Sequence, residues 1–309
     1  MIPRRDADMS VEHGAGLLRF AAWIIGIPLF VVGLGAMGLG MAASAVRAGF
    51  RTLGFDLSPE RSEQARAAGV EPAGDLAQVF AADHVVFSLP TARDVEGVID
   101  QVSGVLQARP RIVVIDTSTS EPAVSRALAA RLATMGHGFL DAPVSGGPAG
   151  AAKGALTMMI GGSAADLADA RPVIDALSAK AIHVGDSGAG NVAKLVNNLL
   201  CAAHMLTTAE GLRLAEAAGI PAQSVLEVLN AASGRSMLSE VHFPNWVMNG
   251  AFDSGFTMAL MQKDVRLARQ LAEECGARLP LTEKAAQLWA DAPYQGSDDF
   301  TRMGDFRAK

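Results

Sequence analysis

A short apolar run from Leu29 to Val32 leads directly into Gly33, Gly35 and Gly38, spaced G-x-G-x-x-G. No other feature constrains the fold as tightly. A buried strand must end there, turn sharply and re-enter as a helix, and each glycine answers a separate demand. Gly33 permits the tight turn, Gly35 lets a phosphate approach the backbone, and Gly38 lets the helix pack closely on the strand. The helix that follows, expected over 36–48, offers unpaired N–H groups and a positive dipole end to an anion. Leu34, Ala36 and Met37 fill the rest of the turn and are counted with it as cofactor-binding. Asp56 stands 23 residues beyond Gly33, at the end of a second β-rich run. An acidic side chain there accepts hydrogen bonds from a ribose diol. The pattern predicts a dinucleotide site. Asp56 would repel a 2′-phosphate, so NAD is expected ahead of NADP. Arg61 could partly offset that repulsion, although a solvated helix position is its simpler reading. A methyltransferase that uses S-adenosylmethionine shares the glycine turn and the acidic strand end, but does not account for the later segments.

The chain then alternates β-rich and helical stretches. Strands are expected over 29–32, 51–55, 84–89, 111–115, 138–140, 157–160 and 181–184. The intervening helices include 59–68 and 122–135, each announced by a serine and a proline at its start. Alternation of this kind implies right-handed crossovers and a mostly parallel sheet. The strands lack polar alternation, which suits a sheet covered on both faces. Beyond the glycine-rich turn 185–190 no strand is evident. A helix of about thirty residues is expected over 191–218, then shorter ones over 221–231, 237–248, 257–275 and 281–290. The expected fold class is α/β: a Rossmann-type doubly wound domain over 29–187 and an all-helical domain over 188–309, joined by the long helix.

Residues 1–28 read as an N-terminal extension outside that fold. The apolar run that joins them to the first strand, Phe20 to Val32, spans thirteen residues, whereas a membrane-crossing helix needs about 20. An export signal is the competing reading, but no small-residue cleavage site precedes the glycine motif. The 26 basic and 32 acidic side chains give a net charge of −6, so nothing draws the chain globally to nucleic acid or anionic lipid. Neither nucleic acid nor membrane is expected as a partner. Two cysteines, Cys201 and Cys275, form no metal knuckle and fit a reducing cytoplasm. The six histidines show no ligating spacing, and no metal site is expected.

Four segments taken together resemble the β-hydroxyacid dehydrogenase family, which includes 3-hydroxyisobutyrate dehydrogenases: GLGAMGLGMA (33–42), DAPVSGGPAGA (141–151), GAGNVAKLVNN (188–198) and KD (263–264). They stand in that family's order over nearly the whole chain from Leu29. The resemblance implies that Lys194 is the acid–base catalyst, with Asn198 orienting the substrate four residues along the same helix face. A lysine set among Val192, Ala193, Leu195 and Val196 is unusual. If desolvated, its pKa falls and the amine can take a hydroxyl proton. Asn197 is the structural alternative at that step. Ser145, Gly146 and Gly147 are implied to hold the substrate carboxylate and hydroxyl through exposed N–H groups and the serine hydroxyl. Leu89, Pro90 and Thr119 are implied to line the nucleotide, Lys263 to reach the cofactor, and Asp264 to support the substrate.

The expected activity is NAD-dependent oxidation of a small 3-hydroxy acid resembling 3-hydroxyisobutyrate, or the reverse reaction, in a cleft between domains. A reductase of 2-hydroxy-3-oxopropionate from the same family and a non-catalytic dinucleotide-binding protein are the alternatives. Lys194 with Ser145 argues against the second, since a pure binder needs neither. The apolar surface of the long helix leads us to expect a homodimer or homotetramer.

Overall fold

The computed structural model describes residues 28–307. Residues 1–27 of the expected N-terminal extension, with the part of its apolar run before Pro28, therefore lie outside the described residues, and Pro28, counted with the extension, instead opens the first strand. Nine strands form one sheet: β1 Pro28–Val32, β2 Arg51–Phe55, β3 Glu71–Pro72, β4 His84–Phe87, β5 Val113–Asp116, β6 Gly138–Asp141, β7 Val144–Ser145, β8 Leu156–Gly161 and β9 Ser178–Gly185. Their order is β3-β2-β1-β4-β5-β6-β8-β7, with β9 paired to β8. β1 to β6 run parallel to one another; β8 turns antiparallel to β6 and β7. The helices of this part are α1 Ala36–Arg47, α2 Pro59–Ala67, α3 Ala92–Gln101, α4 Pro122–Thr134, α5 Gly147–Lys153 and α6 Ala164–Leu177, with short helical turns at Leu76–Val79 and Ser103–Gln107.

β1 shows why the sheet is covered twice. Its successive side chains point to opposite faces. Leu29 and Val31 join Met41, Ala45, Val173 and Ile174 of α1 and α6. Phe30 and Val32 join Val95, Ile99, Leu128 and Leu132 of α3 and α4. Leu29, Phe30, Val31 and Val32 are all essentially inaccessible to solvent. Burying each contributes about 1.5–3 kcal/mol, so β1 can tolerate no polar alternation. The α/β doubly wound class follows from this two-faced burial.

The sheet differs from the expected strands by one or two residues at several strand ends and, beyond that, in four details. β3 and β7 are two-residue strands, too short to leave a hydrophobic period. β9 starts at Ser178, three residues earlier than expected. β4 ends at Phe87, which leaves Leu89 and Pro90 in the loop beyond it.

α7 Ala189–Ala217 is the long helix. The described chain divides into two compact units within it, the first ending at Asn191 and the second beginning at Val192. The boundary lies four residues past the expected start of the helical domain. Side chains of the first unit explain why: Asp141 accepts the N–H groups of Gly188 (2.7 Å) and Asn191 (2.9 Å).

The second unit adds α8 Ala222–Ala231, α9 Met258–Glu274 and α10 Pro280–Ala290, and is built without a strand among the described residues. Its core takes Ala202, Met205, Ala209 and Leu212 from α7, one stripe at helical spacing, together with Phe243, Met258, Met261, Trp289 and Phe300. Trp289 Nε1 donates to the Ala202 carbonyl at 3.2 Å. The stretch expected as an α-helix over 237–248 is a π-helix, Leu238–Val247. Pro244 lies inside it and supplies no N–H, and the helix closes with Met248 N–H on the Phe243 carbonyl at 2.8 Å.

Candidate active site

Two centres take shape, one in each unit. In the first, parallel register brings together residues that are far apart in the chain. Val32 is opposite both Phe55 and Phe87, and Phe87 is opposite Asp116. The loops after β1, β2, β4 and β5 therefore leave the same carboxyl edge, and Gly33, Asp56, Leu89, Pro90 and Thr119 all follow strand ends there. β1 lies between β2 and β4, where the winding reverses, the point at which open α/β sheets bind ligands.

The three glycines separate by physical role. Gly33 has φ +88°, and a Cβ on it would strike the Ser88 carbonyl. A Cβ on Gly38 would strike the Gly33 carbonyl. Both are required by the fold. Gly35 is not: its φ is −62°, and the nearest atom to a Cβ there is Arg61 Nη1 at 3.8 Å. A glycine that neither backbone angle nor packing demands leaves room for a ligand. Gly35 caps α1 without a side-chain bond, and no acid stands in the first turn, so the helix N-terminus is electrostatically open to an anion. These residues fit a bound dinucleotide.

Asp56 lies at the edge of this cradle. Its Oδ2 accepts the Leu34 N–H at 2.7 Å and its Oδ1 the Ser58 N–H at 2.9 Å. Leu34 is itself a core residue, 1% exposed; its side chain packs in the sheet and its N–H serves Asp56. Ala36 is exposed, and Met37 is half-buried against the core. Leu89 N–H is held by Ser118 Oγ at 3.0 Å. Arg61 Nη1 stands 3.4 Å from Asp56 Oδ2, so it pairs with the acid and is not simply solvated.

Ser145 ends β7, opposite Thr157. Gly146 and Gly147 follow with φ +126° and +62°, left-handed values that favour glycine. A Cβ on Gly147 would meet nothing within 4 Å, so the loop presents open space.

The second centre is built from side chains. Lys194 is 8% exposed, Asn198 4% and Asp264 2%. Asn198 Nδ2 donates to Asp264 Oδ2 at 2.5 Å. Asn198 Oδ1 accepts from Asn197 Nδ2 at 3.0 Å, and Asn197 also approaches Cys201 Sγ at 3.8 Å. Asp264 Oδ1 is buried without a hydrogen bond, with Lys263 Nζ 3.5 Å away. Burial holds the Lys194 amine below its ordinary pKa; Asp264 partly restores it, and Lys263 pushes it further down. Burial likewise raises the Cys201 thiol. A buried amine with a lowered pKa can exchange a proton near neutral pH, which an exposed lysine does poorly.

Asn198 thus sits beside Lys194 as the shared helix face requires, with both ends of its amide already engaged. Lys263 and Asp264 open onto the same cluster. Sequence reasoning assigned nothing to Asp141 or Asn191, although both lie in quoted segments. Asp141 is fully buried, and burial raises its pKa against the pull of its backbone donors. Asn191 accepts the Ser120 N–H at 2.9 Å and donates to Ser125 Oγ at 3.0 Å. A polar residue closing the apolar strand GFLD was the available signal. No group of three potential ligands is arranged for a metal among the described residues.

A nucleotide cradle and a buried lysine cluster define an oxidoreductase of the nicotinamide type, and the comparisons agree. Residues 28–185 match the NAD binding domain of 6-phosphogluconate dehydrogenase, and residues 188–305 match the domain described as NAD-binding of NADP-dependent 3-hydroxyisobutyrate dehydrogenase. A 2-(hydroxymethyl)glutarate dehydrogenase of Eubacterium barkeri is 37% identical over 272 residues, 87% of this chain and 90% of its own. An NAD-dependent L-serine dehydrogenase of Pseudomonas aeruginosa is 38% identical over 274 residues, 86% of this chain and 92% of its own. A solved structure of Mycobacterium tuberculosis 3-hydroxyisobutyrate dehydrogenase with L-serine superposes with a TM-score of 0.85 at 36% identity, covering 92% of this chain and all of the other. The chain belongs to the β-hydroxyacid dehydrogenase family and is an NAD(P)-dependent 3-hydroxy acid dehydrogenase.

Proposed function

We propose that the substrate is a small 3-hydroxy acid resembling 3-hydroxyisobutyrate and that NAD is the favoured cofactor. The names of the three relatives share one chemical element, a primary alcohol one carbon away from a carboxylate-bearing carbon, while the group on that carbon varies. Bound NAD supplies the hydride acceptor. Lys194, in its neutral form, takes the hydroxyl proton as the carbonyl forms, and returns it in the reverse direction. Asn198, held by Asp264 and Asn197, presents its remaining amide hydrogen to the substrate oxygen. Ser145, Gly146 and Gly147 hold the carboxylate through the serine hydroxyl and backbone N–H groups. Asp56 accepts the ribose diol, Gly35 admits the pyrophosphate, and Leu34, Ala36, Met37, Leu89, Pro90, Thr119 and Lys263 complete the nucleotide surroundings.

The single observation that carries this reading is the buried Lys194 amine with its pKa depressed beside Asn198 and Asp264. The test is a panel of 3-hydroxy acids scored by NADH absorbance, with Lys194→Ala as the control. Turnover restricted to acids with a primary 3-hydroxyl supports the assignment; activity only on 2-hydroxy acids overturns it.

Self-association is part of the same proposal. Val192, Val196 and Leu200 follow one another along α7 at i, i+4 and i+8 and are all exposed, an apolar face suited to a homodimer or homotetramer. Sedimentation at micromolar concentration should show at least a dimer, and a monomer would refute it. Both described cysteines are free, which suits a reducing cytoplasm. Among the described residues no helix is long and apolar enough to cross a membrane.

A further inference from the structure

A buried polar network at the start of α7 carries one more conclusion. Asn191 is 0% exposed, yet both ends of its amide are engaged. Its Oδ1 accepts the Ser120 N–H at 2.9 Å, and its Nδ2 donates to Ser125 Oγ at 3.0 Å. Its own N–H goes to Asp141 Oδ2 at 2.9 Å. Ser120, Ser125 and Asp141 are buried as well. A Cβ on Gly190 would strike the Asp141 and Met159 carbonyls, so the helix start is pressed against β6 and β8. Apolar side chains would fill such a place at lower cost, since buried polar groups are tolerated only when each is satisfied. What a satisfied network adds is one fixed arrangement.

The network reaches the loops at the carboxyl edge of the sheet. Ser120 follows Thr119 in the loop after β5. In the same loop Ser118 N–H donates to Asp116 Oδ1 at 2.9 Å, and Ser118 Oγ accepts the Leu89 N–H at 3.0 Å. The loop after β4 is thereby tied to the loop after β5, and that loop to the first turn of α7. α7 continues unbroken from Ala189 to Ala217, so Lys194 rides only about 4.5 Å along the axis beyond Asn191. A displaced first turn is passed on to the amine at that distance. The groups that shift the Lys194 amine, Asp264, Cys201 and Lys263, all lie outside the network.

We propose that Asn191 is a positioning residue for the dehydrogenase reaction, its amide holding the first turn of α7 in register with the loops that line the nucleotide. This rests on the reading of Lys194 as the proton carrier. Steady-state kinetics on a 3-hydroxy acid that the wild type turns over, calorimetric titration with NAD+ and thermal melts of the full chain test it. Asn191→Ala should lower kcat about ten- to a hundredfold, the scale set by misplacing a catalytic group by roughly 1 Å, with the NAD+ Kd moved less than threefold. The acid limb of its pH profile should stay in place, because the amine keeps its charged neighbours. Ser125→Ala removes one partner of the amide but leaves the bond to Ser120, so it should lower Tm and keep kcat within threefold. That variant decides alone where Asn191→Ala does not fold. A kcat within threefold of the wild type in Asn191→Ala, a loss matched by NAD+ affinity, a shifted acid limb, or a tenfold loss of kcat in Ser125→Ala would overturn the role of Asn191. Undiminished turnover by Lys194→Ala would instead overturn the reading of Lys194 on which it rests.

Discussion

The nucleotide cradle and the lysine cluster differ in what they are made of. The cradle is backbone: two glycines the fold requires, one it does not, and a helix start with nothing capping it. Its acidic side chain, Asp56, is held by two backbone N–H groups. The cluster is all side chain, an amine, two amides and a carboxylate drawn from α7 and α9, with Lys194, Asn198 and Asp264 buried and Asn197 half-buried. A backbone site binds by shape and partial charge. A buried side-chain site stores a desolvated charge that chemistry can use. Substitutions should therefore separate binding from turnover along this line.

The largest effect belongs to the cluster. Lys194→Ala should lower kcat about 10²- to 10⁴-fold, the usual weight of a general acid–base, and leave the NAD+ Kd within about threefold. Loss of nucleotide binding to the same extent would erase the distinction. Next come the glycines, which should divide between themselves. Gly35→Val should abolish nucleotide binding with little change in Tm, because the fold leaves space there. Gly38→Ala should lower stability by about 1–3 kcal/mol, the cost of overpacking, because its Cβ meets the Gly33 carbonyl. Equal Tm losses for the two would show that Gly35 serves packing after all.

The cluster should also reveal its stored cost. Lys194→Met should raise stability near neutral pH by roughly 1–2 kcal/mol, since an apolar isostere replaces a buried charge. The amine's pKa in the folded chain lies below its unfolded value. The wild type therefore carries its full penalty below the folded pKa and sheds it as pH rises towards the unfolded value. The gain from methionine should shrink in step, and thermal melts across alkaline pH can show it. A gain that grows with pH would reverse the assigned direction. The smallest effect is Asp264→Asn. Removing the anion that supports the ammonium should move the acid limb of kcat/KM for oxidation to lower pH. A shift to higher pH would contradict the assigned electrostatics.

The same contrast explains what the sequence made legible. Gly33 and Gly38 were readable because a backbone demand writes itself into residue type, and Gly35 and Asp56 because they stand at fixed spacing from that pair. The two-faced burial of β1 was readable because it removes polar alternation. The meeting of Asn198 with Asp264 spans 66 residues, and no local period carries that information; only resemblance suggested it. β3 and β7 leave no trace because two residues make no pattern. The π-helix read as an α-helix because a change of hydrogen-bond step leaves no mark on residue type; it shows only in the bond from Met248 N–H to the Phe243 carbonyl. The grip of Asp141 on Gly188 and Asn191 was missed because an acid at a strand end looks the same whether it faces solvent or a helix start.

Chemical rescue tests the central claim most directly. Lys194→Ala should recover turnover in proportion to added primary alkylamine, and its pH dependence should then follow the pKa of the amine supplied. Turnover of Lys194→Ala within tenfold of the wild type, with no response to amine, would contradict the assignment of Lys194 as the proton carrier.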